Sequence, residues 1–279
     1  MQVAIVAHHR TSTNLALARA RPGLRILEPA VASRALGEGD VAIGRLDVAE
    51  SLDGIEAGLW ELARLEGAGV RVLNRPRTLV AAHDKLATSR VLGDADVSHP
   101  RTAHVTSPSD SIPLEPPVVV KPRFGSWGLD VVLCEDAATL RRHLVAMAGR
   151  PWFASHGALV QELVPPRGHD IRLIVAGGSV VGAIKRVAAP GEWRTNVALG
   201  AVREPVEPSS EACELATRAA AAVEGDLVGV DLLPHTDGEF VVIEINGAVE
   251  YNAAYSLCGA DVFRRTVDAL LPDPVSAVA

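Results

Sequence analysis

The chain is poor in the residues that announce chemistry on their own. Among 279 residues there are three cysteines, Cys134, Cys213 and Cys258, far apart and with no CxxC pair. That spacing argues against a zinc cage or a disulfide framework. Aromatic residues amount to only 4%, while Ala, Val, Arg and Gly are plentiful, a bias that carries no chemical signal. Positive charge is also short: the net charge of −7 leaves no broad basic surface for nucleic acid. No apolar run reaches membrane-spanning length. The opening MQVAIVAHH reads as a short strand without the basic start and cleavage region of a secretory signal, so a cytoplasmic protein is expected. No GxGxxG supports a Rossmann dinucleotide site, and the GxxxxGK[ST] phosphate loop is missing. There is no convincing Ser or Cys nucleophilic triad.

What is present is a globular balance of 48% hydrophobic and 22% charged residues, long enough for one large or two to three small lobes. Val3 to Ala7, Asp40 to Ile43 and Val70 to Leu73 read as buried strands. Ile55, Leu59, Leu62 and Leu65 form a helical stripe between the last two. This alternation predicts a small parallel α/β layer. A helix is expected from about Thr78 to Leu92, followed by a Pro- and Ser-rich linker from Ser98 to Pro117. Val118 to Lys121 and Val131 to Cys134 are strands, and Asp136 caps a helix reaching Ala148. From Ala158 the pattern turns antiparallel. Ile171 to Val175 and Val180 to Arg186 flank a Gly177-Gly178 turn, Ser210 to Val223 is a helix, and Leu227 to Leu233 pairs with Glu239 to Ile245.

The last hairpin carries the strongest chemical signal. A two-residue turn at Asp237-Gly238 sets Thr236 opposite Glu239 and Asp231 opposite Glu244. Opposed side chains on one face lie about 5 Å apart, so these carboxylates repel unless a cation intervenes. Asn246 shares the face of Glu244, with Gly229 across from it. Two carboxylates and a carboxamide oxygen form a hard-oxygen set suited to Mg2+. An exposed polar face is the competing reading, and Pro234 can shift the register. Lys121 ends an apolar strand, and Gly125, Ser126 and Gly128 can turn backbone N–H groups toward phosphate; taken alone, that loop reads as a flexible hairpin tip. Gln161-Glu162-Leu163-Val164, before Pro165-Pro166, could be an adenine hinge or an ordinary buried strand. Asp170 and Arg172 alternate onto one face and could be a structural ion pair. His8 and His9 could touch a substrate or simply end the first strand.

In this order the segments resemble the ATP-grasp superfamily, specifically its RimK/LysX branch of carboxylate–amine ligases. The carrying motifs are His83-Asp84-Lys85, Lys121-Pro122 with Gly125-Ser126-Trp127-Gly128, and Gln161-Glu162-Leu163-Val164. Gly168-His169-Asp170-Ile171-Arg172, Trp193-Arg194-Thr195-Asn196 and Glu244-Ile245-Asn246 complete the series. The resemblance covers nearly the whole chain and is weakest over about the first 75 residues. It implies an α/β (α+β) three-lobed ATP-grasp fold: an N-terminal parallel α/β lobe (1–78), a small central lobe (79–157) and a C-terminal antiparallel-sheet lobe (158–279), with ATP between the last two.

The resemblance also implies roles. Lys85 and Lys121 match phosphate-binding lysines, and Gly125, Ser126, Trp127 and Gly128 match a closing loop. Glu162 and Leu163 match the adenine hinge, and Asp170 a residue near the ribose. Arg194, Thr195 and Asn196 line the nucleotide and acceptor side. Asp231, Glu244 and Asn246 match ligands of two Mg2+ ions, for which Mn2+ can substitute. Arg172, Arg186 and Asn196 are the expected catalytic group, the arginines holding substrate or acylphosphate. The implied reaction activates a carboxylate on ATP and passes the acyl group to an amine, releasing ADP and phosphate. The acid is a small molecule, a peptide or a carrier protein, an acidic one in the last case, and the amine belongs to an amino acid. A homodimer or homotetramer is expected, without nucleic acid or membrane. Leu199 stands where RimK-like enzymes commonly carry a basic residue, which leaves glutamate specificity open; Asn246 to Tyr251 and the Gly-Ser-Trp-Gly loop are closer to LysX. The alternatives are an ATP-grasp kinase or carboxylase, and a nucleotide-binding module without catalysis.

Overall fold

A computed structural model describes residues 1–47, 57–235 and 238–272 of the chain. Three sheets organise it. The first runs β1 (Val3–Val6), α1 (Ser12–Ala20), β2 (Arg25–Leu27), α2 (Pro29–Ala35), β3 (Val41–Gly44), α3 (Ala57–Gly67) and β4 (Arg71–Leu73). Its strands are all parallel in the order β2-β1-β3-β4, as the strand–helix alternation predicts. The sequence reading lacks α1, β2 and α2, and its helix start at Ile55 lies outside the described residues. Leu59, Leu62 and Leu65 of α3 are buried together against the sheet.

The single helix expected from Thr78 to Leu92 is two: α4 (Pro76–His83) and α5 (Lys85–Asp94). Asp84 breaks it. Its backbone is extended, its amide closes α4 onto the Val80 carbonyl, and its carboxylate accepts from the Leu86 and Ala87 amides. An aspartate satisfies orphan amides of a new helix better than it sits inside an old one. The break sets Lys85 at the first position of α5.

The second sheet is antiparallel, in the order β5-β8-β6-β7. Its strands are β5 (Thr102–Val105), β6 (Val118–Pro122), β7 (Val132–Cys134) and β8 (Ala158–Glu162), with α6 (Ala137–Ala148) and α7 (Pro151–His156) between the last two. The Pro- and Ser-rich stretch is thus not wholly a linker, since β5 within it pairs with β8. The sequence division at residue 158 falls at the start of β8, which bonds to β5 and β6 of this sheet. Asp136 caps α6 by accepting from the Thr139 amide.

The third sheet, order β11-β10-β9-β12-β13, is built from β9 (His169–Ala176), β10 (Ser179–Val187), β11 (Val202–Glu204), β12 (Leu227–Pro234) and β13 (Phe240–Asn246). Gly177 and Gly178 both have positive φ, the geometry of a tight hairpin turn. Helix α8 (Ser210–Ala222) covers one face with Ala212, Ala216, Ala219 and Ala220, and α9 (Val262–Leu270) packs on α1 across the chain. Tyr251, Tyr255 and Val262 share a core with Ile5 and Ile43 of the parallel sheet.

Asn74 ties these parts together. It is fully buried at φ 55°, a left-handed conformation that asparagine tolerates. Its side chain donates to the carbonyls of Leu227 at 2.5 Å and Gly247 at 3.0 Å, and accepts from the amides of Asp226 and Leu227.

Candidate active site

Asp231 faces Glu244 and Gly229 faces Asn246, as expected, but by a different route. The expected two-residue turn, Asp237-Gly238, lies partly outside the described residues, which omit Thr236 and Asp237. The pairs nearest it, Leu233 with Val241 and Pro234 with Phe240, are one residue out of the expected register. A bulge between Asp231 and Leu232 absorbs the difference by leaving Ile243 as the extra residue on β13. Ile243 thereby lines the cleft described below. The space opposite Asn246 is filled: a Cβ on Gly229 would lie 2.5 Å from a Val249 methyl group.

Two adjoining cavities gather the predicted residues. A cleft of about 860 Å3 lies between the second and third sheets, and a neighbouring cavity of about 520 Å3 opens toward the parallel layer. Lys85 and Glu244 line both. Lys121, Gly128, Glu162, Leu163, Asp170, Arg186, Arg194, Thr195, Asn196 and Asp231 line the cleft. Gly125, Ser126, Arg172 and Asn246 line the cavity. Trp127 lines neither and is 69% exposed. His8 and His9 line neither; His8 Nδ1 lies 3.9 Å from Glu28 Oε2.

The cleft has an apolar end and a charged end. Val119, Val131, Leu163 and Ile243 form a slot suited to a planar ring. Glu162 pairs outward with Arg101 at 3.1 Å, and its amide donates to the Arg101 carbonyl. At the charged end, Lys121 is 7% exposed and donates to Gln161 Oε1 at 2.7 Å. Burial, with Lys85 acting in the same sense and Glu244 against it, pushes its ammonium down to about 8. Lys85 donates to the Gly125 carbonyl at 2.5 Å and lies 3.2 Å from Glu244. Its neighbour Asp84 holds Arg123 by a two-pronged pair at 2.8 and 2.5 Å.

Behind the lysines sits a buried ring of charge. Arg172 donates to both oxygens of Asp231, at 2.6 and 2.7 Å. Arg186 donates to both oxygens of Asp170, at 2.7 and 2.5 Å, and reaches Asp231 at 2.8 Å. Thr195 donates its hydroxyl to Asp170. Burial alone would raise the Asp231 carboxyl, but Arg172 and Arg186 outweigh it and hold the group at about 2. Asp170 moves up instead, through burial first, with Arg186 opposing and Asp231 adding to the rise. Two arginines opposite two aspartates leave the ring formally neutral, and their geometry is of the fork type that fixes orientation.

The loop ending at Gly128 is tied down. Arg194 donates to the Gly128 carbonyl at 3.0 Å and the Val131 carbonyl at 3.4 Å, and is itself gripped by Glu192, whose carboxyl it holds near 2. Gly128, at φ 74°, packs so closely that a Cβ would lie 2.6 Å from Asn196 Oδ1 and 3.2 Å from Leu199. Gln161, Glu192 and Arg123 are contributors absent from the sequence-predicted site. Gln161 was legible, being adjacent to the expected hinge and alternating with Leu163; Arg123 and Glu192 depend on loop folding.

Among the described residues no three His, Cys, Asp or Glu side chains gather into a metal cage. The donor set expected for a cation is Asp231, Glu244 and Asn246. Asp231 shares its oxygens with guanidinium groups, whereas Glu244 meets Lys85. Asn246 Nδ2 is buried without a partner among the described residues, so no donor bond of its own to them fixes the carboxamide, and its oxygen can turn to a cation. This set fits Mg2+ when water and phosphate oxygens supply the rest.

A sequence model of the RimK-like ATP-grasp domain matches residues 82–270. The glutamate–LysW ligase ArgX of Sulfurisphaera tokodaii is 30% identical over 248 residues, covering 86% of this chain and 85% of that protein. A probable alpha-L-glutamate ligase of Xanthomonas campestris pv. campestris is 32% identical, covering 74% of this chain and 71% of that protein. The solved structure of the ATP-grasp ligase PsnB with a phosphomimetic precursor variant, Mg and ADP superposes with a TM-score of 0.65 at 19% identity. It covers 97% of this chain and 98% of that one. No helix among the described residues is long and apolar enough to cross a membrane. With the ordered motifs, the two cavities and these relatives in agreement, the chain belongs to the RimK-like ATP-grasp family of ATP-dependent carbon–nitrogen ligases.

Proposed function

We propose that this ligase joins the amine of an amino acid to the carboxylate of a small molecule, peptide or carrier protein, by way of an acylphosphate. The observation that carries this reading is the shared wall: Lys85 and Glu244 border both the cleft and the second cavity. A phosphoryl group at that wall can leave a nucleotide in one and meet a carboxylate in the other.

Adenine occupies the slot of Val119, Val131, Leu163 and Ile243, and the phosphates run to Lys121 and Lys85. Asp231, Glu244 and Asn246 would hold two Mg2+ ions, with Mn2+ an acceptable substitute. When bound, Mg2+ would supply positive charge to the triphosphate and the γ-phosphoryl group. The acid's carboxylate oxygen attacks the γ-phosphorus as the bond to the β-phosphate oxygen breaks and ADP forms. The amine then attacks the acyl carbon, phosphate leaves, and the ammonium proton passes to phosphate or water. Arg172 and Arg186 face charge that builds on the transferring group and the acyl oxygen. Asp170, 2% exposed and forked to Arg186, is a positioning residue for that arginine. Gly125 to Gly128 close over the phosphates and exclude water from the acylphosphate. The expected setting is cytoplasmic, as a homodimer or homotetramer.

The test is ADP release measured with acid and amine supplied separately and together. A ligase gives sustained ADP and phosphate only with both, whereas a stable phosphorylated product from the acid alone would support a kinase. Glu244→Gln is the clean metal variant, expected to raise the Mg2+ requirement about tenfold or more through loss of a charged ligand. Asp231→Ala is less clean. It strands Arg172, while Arg186 keeps Asp170, at about 3–5 kcal/mol of stability for a broken buried pair.

A further inference from the structure

Gln161 lines the cleft without a charge of its own, and its side chain is held in one orientation. It is 5% exposed on β8, directly across from Thr102 of β5 on one side and Val119 of β6 on the other. Lys121 lies two residues beyond Val119 and so shares its face, a diagonal neighbour of Gln161 within reach of a long side chain. Three hydrogen bonds run in series. Lys121 Nζ donates to Gln161 Oε1 at 2.7 Å, Gln161 Nε2 donates to Thr102 Oγ1 at 2.8 Å, and the Thr102 hydroxyl donates to the Pro100 carbonyl at 3.0 Å. An ammonium can only donate and a carbonyl can only accept, so both ends of the series dictate which way the carboxamide faces.

The orientation matters because the Lys121 ammonium has two places to go. Lys121, Gln161, Lys85 and Glu244 line both the cleft and a third cavity of about 280 Å3. Thr88, Ser89 and His99 line that third cavity and not the cleft. The Ser89 hydroxyl and the Glu244 carboxylate offer acceptors there. Glu244 is paired with Lys85 at 3.2 Å, and Lys121 is steadied by a carboxamide instead. A carboxamide oxygen occupies one of the three ammonium N–H bonds and leaves the full charge for an anion, whereas a carboxylate would cancel that charge. A hydrogen bond to the charged form also favours that form, which counts at a lysine that burial, with Lys85 adding and Glu244 opposing, pushes down to about 8.

We propose that Gln161 is a positioning residue for nucleotide binding: oriented by Thr102, it keeps the Lys121 ammonium out of the third cavity and leaves its two other N–H bonds for the triphosphate. This rests on the assignment of Lys121 to the phosphates in the ligase reading. Thr102 is the part of the device farthest from the nucleotide, acting only through the carboxamide.

The test is calorimetric titration of the full chain with Mg2+ and a non-hydrolysable ATP analogue at pH 7 and pH 9. Gln161→Leu should weaken binding about tenfold at pH 7, the worth of a hydrogen bond to a charged group. Gln161→Glu should also bind more weakly at pH 7, because its charge opposes the triphosphate. Its carboxylate holds the lysine proton, so affinity should change less than about threefold between the two pH values, against about tenfold for the wild type. Thr102→Val frees the carboxamide to turn and should weaken binding about threefold, with wild-type affinity regained in Thr102→Ser. With Lys121→Met already present, Gln161→Leu should add nothing. Wild-type affinity in Gln161→Leu, an equal loss from it in the Lys121→Met background, or a Gln161→Glu profile as steep as the wild type's overturns the proposal. Should Gln161→Leu fail to fold, unchanged affinity in Thr102→Val overturns it equally. Lys121→Met binding as tightly as the wild type would instead sink the assignment of Lys121 to the phosphates.

Discussion

Nucleotide affinity should fall as pH rises through about 8, because the Lys121 ammonium sits in a buried cleft beside Lys85. A pKa near 8 leaves the side chain about 90% charged at pH 7 and about 10% charged at pH 9. If the charged form is the one that binds triphosphate, the dissociation constant of an ATP analogue rises about tenfold over that interval, or about 1.4 kcal/mol. The bound phosphate supplies the missing countercharge, so binding at pH 8–9 should also take up a proton. Titration calorimetry in buffers of different ionisation enthalpy measures both quantities. Lys121→Met keeps the apolar stem, removes the charge, and should give weaker binding with a flat pH profile. The stability of the unliganded protein moves in the opposite sense. The unfolded chain keeps this proton up to about 10.5, so it binds more protons than the folded chain between about 8 and 10.5, and Lys121 makes folding more favourable as pH climbs through that window. A flat wild-type binding profile, or an equal slope in Lys121→Met, would refute the assignment of Lys121 to the phosphates.

Two substitutions test the scaffold. Asn74→Ala removes the side chain that bonds Asp226, Leu227 and Gly247 and strains a positive φ, so a loss of about 3 kcal/mol or more is expected in denaturant unfolding; a loss under about 1 kcal/mol would mean water replaces those bonds. Gly128→Ala drives a methyl group into Asn196 and Leu199 at a loop position with positive φ. It should raise the Michaelis constant for ATP about tenfold with little change in melting temperature, and unchanged ATP kinetics would show that the tied-down loop is not part of the nucleotide site.

The parallel layer was legible because buried strands and an amphipathic helix leave strong periodicities in sequence. The hairpin site was legible in part. Alternation put Asp231, Glu244 and Asn246 on one face, and that face exists. The turn register did not follow from Asp237-Gly238, because the bulge at Ile243 and the missing amide of Pro234 are settled by tertiary pairing. Asp84 looked like one more residue of a long helix, since capping competes with helix continuation only once Leu86 and Ala87 need an acceptor. The strand β5 lay hidden in a Pro- and Ser-rich stretch because its pairing partner, β8, comes more than fifty residues later. Arg45, Thr11 and Glu250 could not have been joined from sequence, as their contacts close loops of over two hundred residues. The arginine–aspartate ring was half visible. Alternation placed Asp170 and Arg172 on one face as a candidate pair, but across strands Arg172 pairs with Asp231 and Asp170 with Arg186.

The most direct test of the ligase mechanism follows an oxygen atom. With an acid substrate that supports turnover, labelled with 18O in its carboxylate, the released phosphate is analysed by mass spectrometry. Transfer of the γ-phosphoryl group to the carboxylate predicts one 18O in each phosphate and ADP as the nucleotide product. Unlabelled phosphate, or AMP and pyrophosphate in its place, would contradict it.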